Sequence, residues 1–165
     1  MRVLGIDPGS NVTGYGIVEG HGSAFAHIEN GGIAPKRGLA LPLKLQDIFR
    51  GLKALMERFR PDAVAIENLF VAKNARSSLI LGHARGVALL AASETGLTAA
   101  EYSPSQVKLA VTGSGRADKE QIQRMVRSLL GLPEVACEDA SDALAVAICH
   151  LNSAGLAEKI GRCKG

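Results

Sequence analysis

The sequence contains no tryptophan, and its aromatic side chains are limited to two tyrosines and four phenylalanines. A core without large rings has to be built from aliphatic residues, so an aromatic left at the surface needs a reason. Cysteine is scarce as well. Cys137, Cys149 and Cys163 are odd in number and none stands in C-x-x-C spacing. That excludes a disulfide framework and a zinc-ribbon pattern, and it fits a reducing compartment. The apolar stretches are all interrupted by charge, so no membrane span is expected. Met1-Arg2 leads directly into a strand-like run with no leader pattern, and a cytoplasmic protein is expected. Neither sign of charge dominates: 19 basic against 16 acidic residues leave a net charge of +3, with a pI near 8.9. Such a balance permits a polyanionic partner without demanding one.

The chain is 47% hydrophobic and 21% charged, a globular composition, and it shows no internal repeat or low-complexity tract. Its 165 residues suit a single domain over 1–165, with a polar tail from about residue 155 expected to fray. Residues 2–7, about 12–19 and about 23–33 read as three strands in an antiparallel meander, with a turn at Glu19-Gly20-His21-Gly22. Pro42 opens a helix whose apolar residues Leu45, Ile48, Leu52, Leu55, Met56 and Phe59 recur at helical spacing, and Pro61 ends it. Ala63 to Ile66 is a short buried strand, and a long helix is expected over 74–94 with Gly96 beyond its end. A fifth strand covers 98–102. Ser103-Pro104-Ser105-Gln106 has the form of a capping box opening a short helix. Gly113-Ser114-Gly115 breaks that helix, and two more are expected over 118–130 and 139–152. The order predicts an α/β fold: one five-stranded mixed sheet, three antiparallel strands then two parallel, with helices on both faces.

Two of the predicted strands run apolar and stop at a carboxylate, Asp7 before Pro8-Gly9 and Glu67 before Asn68. A carboxylate at the end of a buried strand is costly unless something compensates it. Asp139 and Asp142 stand three apart in the first turn of the last helix, on one face. Two such charges about 4 Å apart cost roughly 4 kcal/mol at an effective dielectric of about 20. Each has an ordinary explanation: Asp7 as a turn former, Glu67 as an ion-pair partner, Asp139 and Asp142 as complements to the helix dipole. Together, at the ends of central strands and on one helix face, they can converge. Hard divalent ions would relieve their repulsion, and two such ions activate a water and stabilise the leaving oxygen of a phosphodiester.

Gly5-Ile6-Asp7-Pro8-Gly9, Ala65-Ile66-Glu67, Lys73-Asn74-Ala75 and Asp139-Ala140-Ser141-Asp142-Ala143-Leu144 resemble, in order and spacing, the RuvC family of Holliday junction resolvases. The resemblance extends over about residues 2–152. It implies an RNase H-like fold, a homodimer, and Mg²⁺-dependent symmetric nicking of four-way DNA junctions in recombination and repair. Two ions per subunit are implied, with Mn²⁺ as a substitute. It assigns Asp7, Glu67, Asp139 and Asp142 as the catalytic and metal-binding set. Some relatives carry histidine at the third position; Asp139 makes this set all oxygen. Coupling to the RuvA-RuvB branch-migration machinery is also implied.

Basic residues flank these acidic stretches: Lys73 and Arg76 near the start of the long helix, and Lys108, Arg116 and Lys119 around the Gly113–Gly115 break. They are candidate phosphate contacts, against an ordinary solvated helix face. The resemblance singles out Lys108 and Lys119 as contacts near the scissile strand. It also favours Phe70 as an aromatic that stacks on an unpaired base, with preference for a thymine-rich step; burial of Phe70 in the core is the alternative. Gly82, His83 and Gly86 mark a helix face open to close approach, either to a second subunit or to the chain's own sheet. His21, His27 and His150 are given no special role. Two other functions fit part of the pattern. Asp-x-Gly-Ser is also similar to the first phosphate loop of actin, Hsp70 and sugar-kinase ATPases, which need a second such domain. Another RNase H-like nuclease, acting on hybrids or other branched DNA, would use the same carboxylates.

Overall fold

The structure, a computed structural model, describes residues 1–22, 24–68 and 75–162. In chain order the elements are β1 (Arg2–Asp7), β2 (Thr13–His21), β3 (Ala24–Ile33), α1 (Leu41–Phe59), β4 (Ala63–Glu67), α2 (Ala75–Glu94), β5 (Ala99–Tyr102), α3 (Pro104–Thr112), α4 (Lys119–Leu130) and α5 (Glu138–Arg162). One five-stranded sheet runs β3-β2-β1-β4-β5. The first three strands pair antiparallel, and β1–β4 and β4–β5 are parallel, as expected from the order of elements.

Strand alternation sorts the core into two layers. Leu4, Ile6, Ile17, Val64 and Ile66 project to one side, against Ile48, Leu52 and Met56 of α1 and Ala88, Ala91 and Ala92 of α2. Val3, Val18 and Ala65 project to the other, against α5, with Val107 and Val111 of α3 and Ile122 and Val126 of α4 completing that layer. Each fully buried aliphatic side chain contributes about 1.5–3 kcal/mol. Helix α5 is buried on every side from Ala143 to Cys149, sandwiched between sheet and outer helices. Among the described residues no helix is long and apolar enough to cross a membrane.

The local signals hold at the helix starts. Ser103 caps α3 and Asp118 caps α4, each in a reciprocal box with the glutamine three residues on. Two boundaries differ from expectation. β2 continues through His21, which pairs with Ala24, so the turn is narrower than Glu19–Gly22 and is made around Gly22 at φ 64°. α5 begins at Glu138 and continues to Arg162, past the expected end at Asn152 and through the segment expected to fray. Gly155 does not stop it, since it takes no left-handed conformation.

Candidate active site

Asp7 and Glu67 end the two central parallel strands, one position beyond the paired residues Ile6 and Ile66. By alternation they share the side of Gly5 and Ala65, the side on which α5 lies. α5 reaches that side of the sheet because glycines make room for it. A Cβ on Gly14 would lie 2.9 Å from the Cβ of Asp139, and one on Gly5 would lie 2.9 Å from the backbone nitrogen of Ala147. Real Cβ atoms do not approach so closely, so only glycine admits the helix at this depth. The first turn of α5, with Asp139 and Asp142, is thereby seated beside the ends of β1 and β2. The loop after Asp7 is fastened by the fully buried Thr13, whose hydroxyl donates to the Gly9 carbonyl at 2.7 Å.

Burial and mutual repulsion act together on these carboxylates. Burial, then the charges of Asp142, Glu67 and Asp139, push the Asp7 carboxyl up to about 7, with Lys119 opposing. Burial and Asp142 raise Glu67, against Lys119 and Lys108. Burial raises Asp142 as well, against the ammonium of Lys119. That ammonium stands 3.2 Å from Asp142 Oδ2 and also bonds Glu138. Burial disfavours its charge, but these two carboxylates outweigh burial and lift its pKa.

A cleft of about 200 Å³ opens beside these groups, lined by Glu67, Asp142, Lys108 and Lys119 over a floor that includes Val107 and Ala145. Among the described residues, no three acidic, histidine or cysteine side chains are gathered closely enough to hold a metal ion as they stand. Asp142 is instead held to Lys119. The donor chemistry still fits a hard cation: the ligands offered are carboxylate oxygens, and Lys119 and Lys108 only partly offset the burial and mutual repulsion that raise Asp7 and Glu67.

Glu67 and Asp142 line the cleft with Lys108 and Lys119, and Asp7 and Asp139, which are not among its lining residues, are near enough that Asp139, Glu67 and Asp142 all act on the charge of Asp7. Arg116 lies apart, in a separate groove with Thr112, Ser114, Gln121 and Arg124. Phe70 and Lys73 fall outside the described residues, and of Arg76 only its place in the first turn of α2 is described. Sequence reading missed Glu138, the second carboxylate on Lys119. Its only signal was its position next to Asp139. Among the described residues nothing lies within 4 Å of a Cβ added at Gly82 or Gly86 of α2, so these positions do not meet the described part of the sheet.

The sheet order and the acidic cluster at its central strands define an RNase H-like nuclease. The family model for the crossover junction endodeoxyribonuclease RuvC matches residues 3–150. The RuvC endonuclease of Trichlorobacter lovleyi is 56% identical over 153 residues, 93% of this chain and 86% of that one. That of Pelobacter propionicus is 57% identical over 153 residues, 93% of this chain and 87% of its own. A solved structure of Thermus thermophilus RuvC with a Holliday junction substrate superposes with a TM-score of 0.91 at 34% identity, covering 95% of this chain and 96% of that one. The yeast mitochondrial resolvase Ydc2 shares the fold at a TM-score of 0.68 and 16% identity, over 98% of this chain and 84% of its own. This chain belongs to the RuvC family of crossover junction endodeoxyribonucleases.

Proposed function

We propose that the chain is a Holliday junction resolvase, one nuclease domain per subunit, that nicks two strands of a four-way junction symmetrically and leaves 5′-phosphate ends. The observation that carries this reading is the convergence of Glu67, Asp139 and Asp142 on the raised Asp7. These four carboxylates are the catalytic set and would hold Mg²⁺, two ions per subunit, with Mn²⁺ as a substitute. When bound, such ions supply an activated water and stabilise the departing oxygen. The protein's part is to fix the carboxylates on rigid elements and to bring the phosphate to them. Lys108 and Lys119, at the rim of the cleft, offset the repulsion between an acidic site and a polyanion. Arg116, Lys73 and Arg76 add phosphate contacts, and Phe70 stacks on an unpaired base.

The protein acts as a homodimer in the cytoplasm, coupled to RuvA-RuvB. The open α2 face of Leu79, Gly82, His83, Gly86 and Leu90 supports a subunit contact, since a twofold dimer presents two sites to a twofold substrate. Incubation of a mobile four-way junction with the protein and Mg²⁺ tests the reading. Paired symmetric nicks that ligase seals are expected, and Asp7→Asn should bind the junction without cutting it. Degradation of an RNA–DNA hybrid with no junction cleavage would overturn it in favour of another RNase H-like activity.

A further inference from the structure

A second cationic feature lies at the same end of the sheet, on the β3 side of the acidic site. β1 ends there, β2 begins there, and β3 ends there at Ile33, paired with Thr13. The chain then makes a short connection to α1, with Gly38 at φ 81° placing the turn. A cleft of about 520 Å³ forms between this connection and the loop that follows Asp7, lined by Asn11, Val12, Ala34, Pro35, Arg37, Gly38 and Lys44. Lys44 is half-buried and donates to Asn11 Oδ1 at 2.8 Å, so its ammonium is held beside the active-site loop. Arg37 and the adjacent Lys36 are exposed. Among the described residues no carboxylate pairs with Lys36, Arg37 or Lys44, and the first turn of α1 carries no acidic side chain. Lys119, on the other flank, is by contrast engaged by Glu138 and Asp142.

Two cations and an amide on one concave surface, with the exposed Lys36 next in the chain and no neutralising acid among the described residues, are an electrostatic footprint for phosphate. Their side chains project from a loop and a helix start, and among the described residues that line the cleft none is aromatic. That composition suits the backbone of a duplex and not the bases of a single strand. We propose that Arg37 and Lys44, with Lys36 at the rim, grip the sugar–phosphate backbone of a DNA duplex arm leaving the acidic site on the β3 side. This rests on the nuclease reading above. The grip is independent of base sequence. Because Lys44 bonds Asn11, it also ties arm binding to the loop that follows Asp7.

The test is junction binding as a function of salt, by fluorescence anisotropy without divalent ions, for the parent and for Arg37→Gln/Lys44→Gln. Each lost phosphate contact lowers the slope of log K against log [salt] by about 0.9, so the double variant should lose about 1.8 in slope. Its affinity should fall about tenfold or more at about 150 mM salt, about equally for arms of different sequence. Arg37→Lys/Lys44→Arg should restore both slope and affinity, which a merely misfolded variant could not explain. Lys36→Gln alone should lower the slope by about half as much as the double variant. An unchanged slope in the double variant with parent-like junction binding would overturn the arm contact and leave the nuclease reading intact. A shift of the double variant from dimer to monomer, with unaltered salt dependence per subunit, would overturn it in favour of a subunit contact. Absence of junction binding by the parent would sink both readings.

Discussion

Gly14 and Asp139 meet where β2 passes under the first turn of α5, and a Cβ on Gly14 would stand 2.9 Å from the Cβ of Asp139. The position of the Asp139 carboxylate thus depends on the absence of a methyl group across from it. Gly14→Ala must push α5 away from the sheet. Overpacking of this kind costs about 1–3 kcal/mol, and a fall in thermal midpoint of about 2–10 °C is expected. Junction cutting should fall more steeply than junction binding, because Asp139 is displaced while Lys108 is not. Thermal unfolding together with single-turnover cleavage checks this; a variant with parental midpoint and parental rate would refute the close approach.

The pH dependence of stability follows from Asp7. Its folded pKa is raised from 3.8 to about 7. The folded state therefore holds a proton that the unfolded chain releases. That contribution is fully present below about pH 4 and is lost as pH rises through about 7, a span worth at most about 4 kcal/mol. Glu67 and Asp142 shift in the same direction. Asp7→Asn removes the penalty. Without metal it should be more stable than the parent at about pH 8, by about 5 °C or more, and the two should converge near pH 4. Mg²⁺ should raise the midpoint of the parent at the alkaline end and have less effect on the variant. A variant equally destabilised at both pH values would mean that Asp7 supports the fold and carries no electrostatic strain.

The Lys119 ammonium stands 3.2 Å from Asp142 Oδ2, where it would compete with a cation offered to that carboxylate. Removal of its ammonium in Lys119→Met should strengthen Mn²⁺ binding to the DNA-free protein by a few-fold, since a like charge is withdrawn from the site. The same change should weaken junction binding and slow cutting. Calorimetric titration of Mn²⁺ separates the two effects, and a weaker metal affinity would contradict the placement of Lys119.

Thr13 is fully buried and closes the loop after Asp7 through Gly9. Thr13→Val keeps the shape and deletes the bond. Loss of this buried contact should cost about 1–3 kcal/mol, measured by urea unfolding, and lower the cutting rate at saturating junction. Thr13→Ser should recover most of the rate.

Much of the site was legible from residue order. Apolar runs ending at Asp7 and Glu67 fixed two carboxylates at strand ends, but their common face came from the pairing of Gly5 with Ala65 in the parallel register of β1 and β4. The i, i+3 spacing of Asp139 and Asp142 fixed their common helical face. The end of α5 was not legible. Its run from Ala143 to Cys149 is buried on every side, so it lacks the one-sided periodicity that marks a boundary. Nor was the pairing of Lys119 with Glu138, which lie on different helices.

The sequence by itself determined which residues carry charge, which strands end in acid, and where α3 and α4 start, because capping and alternation act over a few residues. Only the tertiary structure decided that these acids face one another. That depended on α5 settling onto Gly5 and Gly14, a contact between segments more than a hundred residues apart. Van der Waals exclusion sets how near two backbones come, and it is decided by both partners together. The missing side chain of Gly14 has meaning only once Asp139 lies above it.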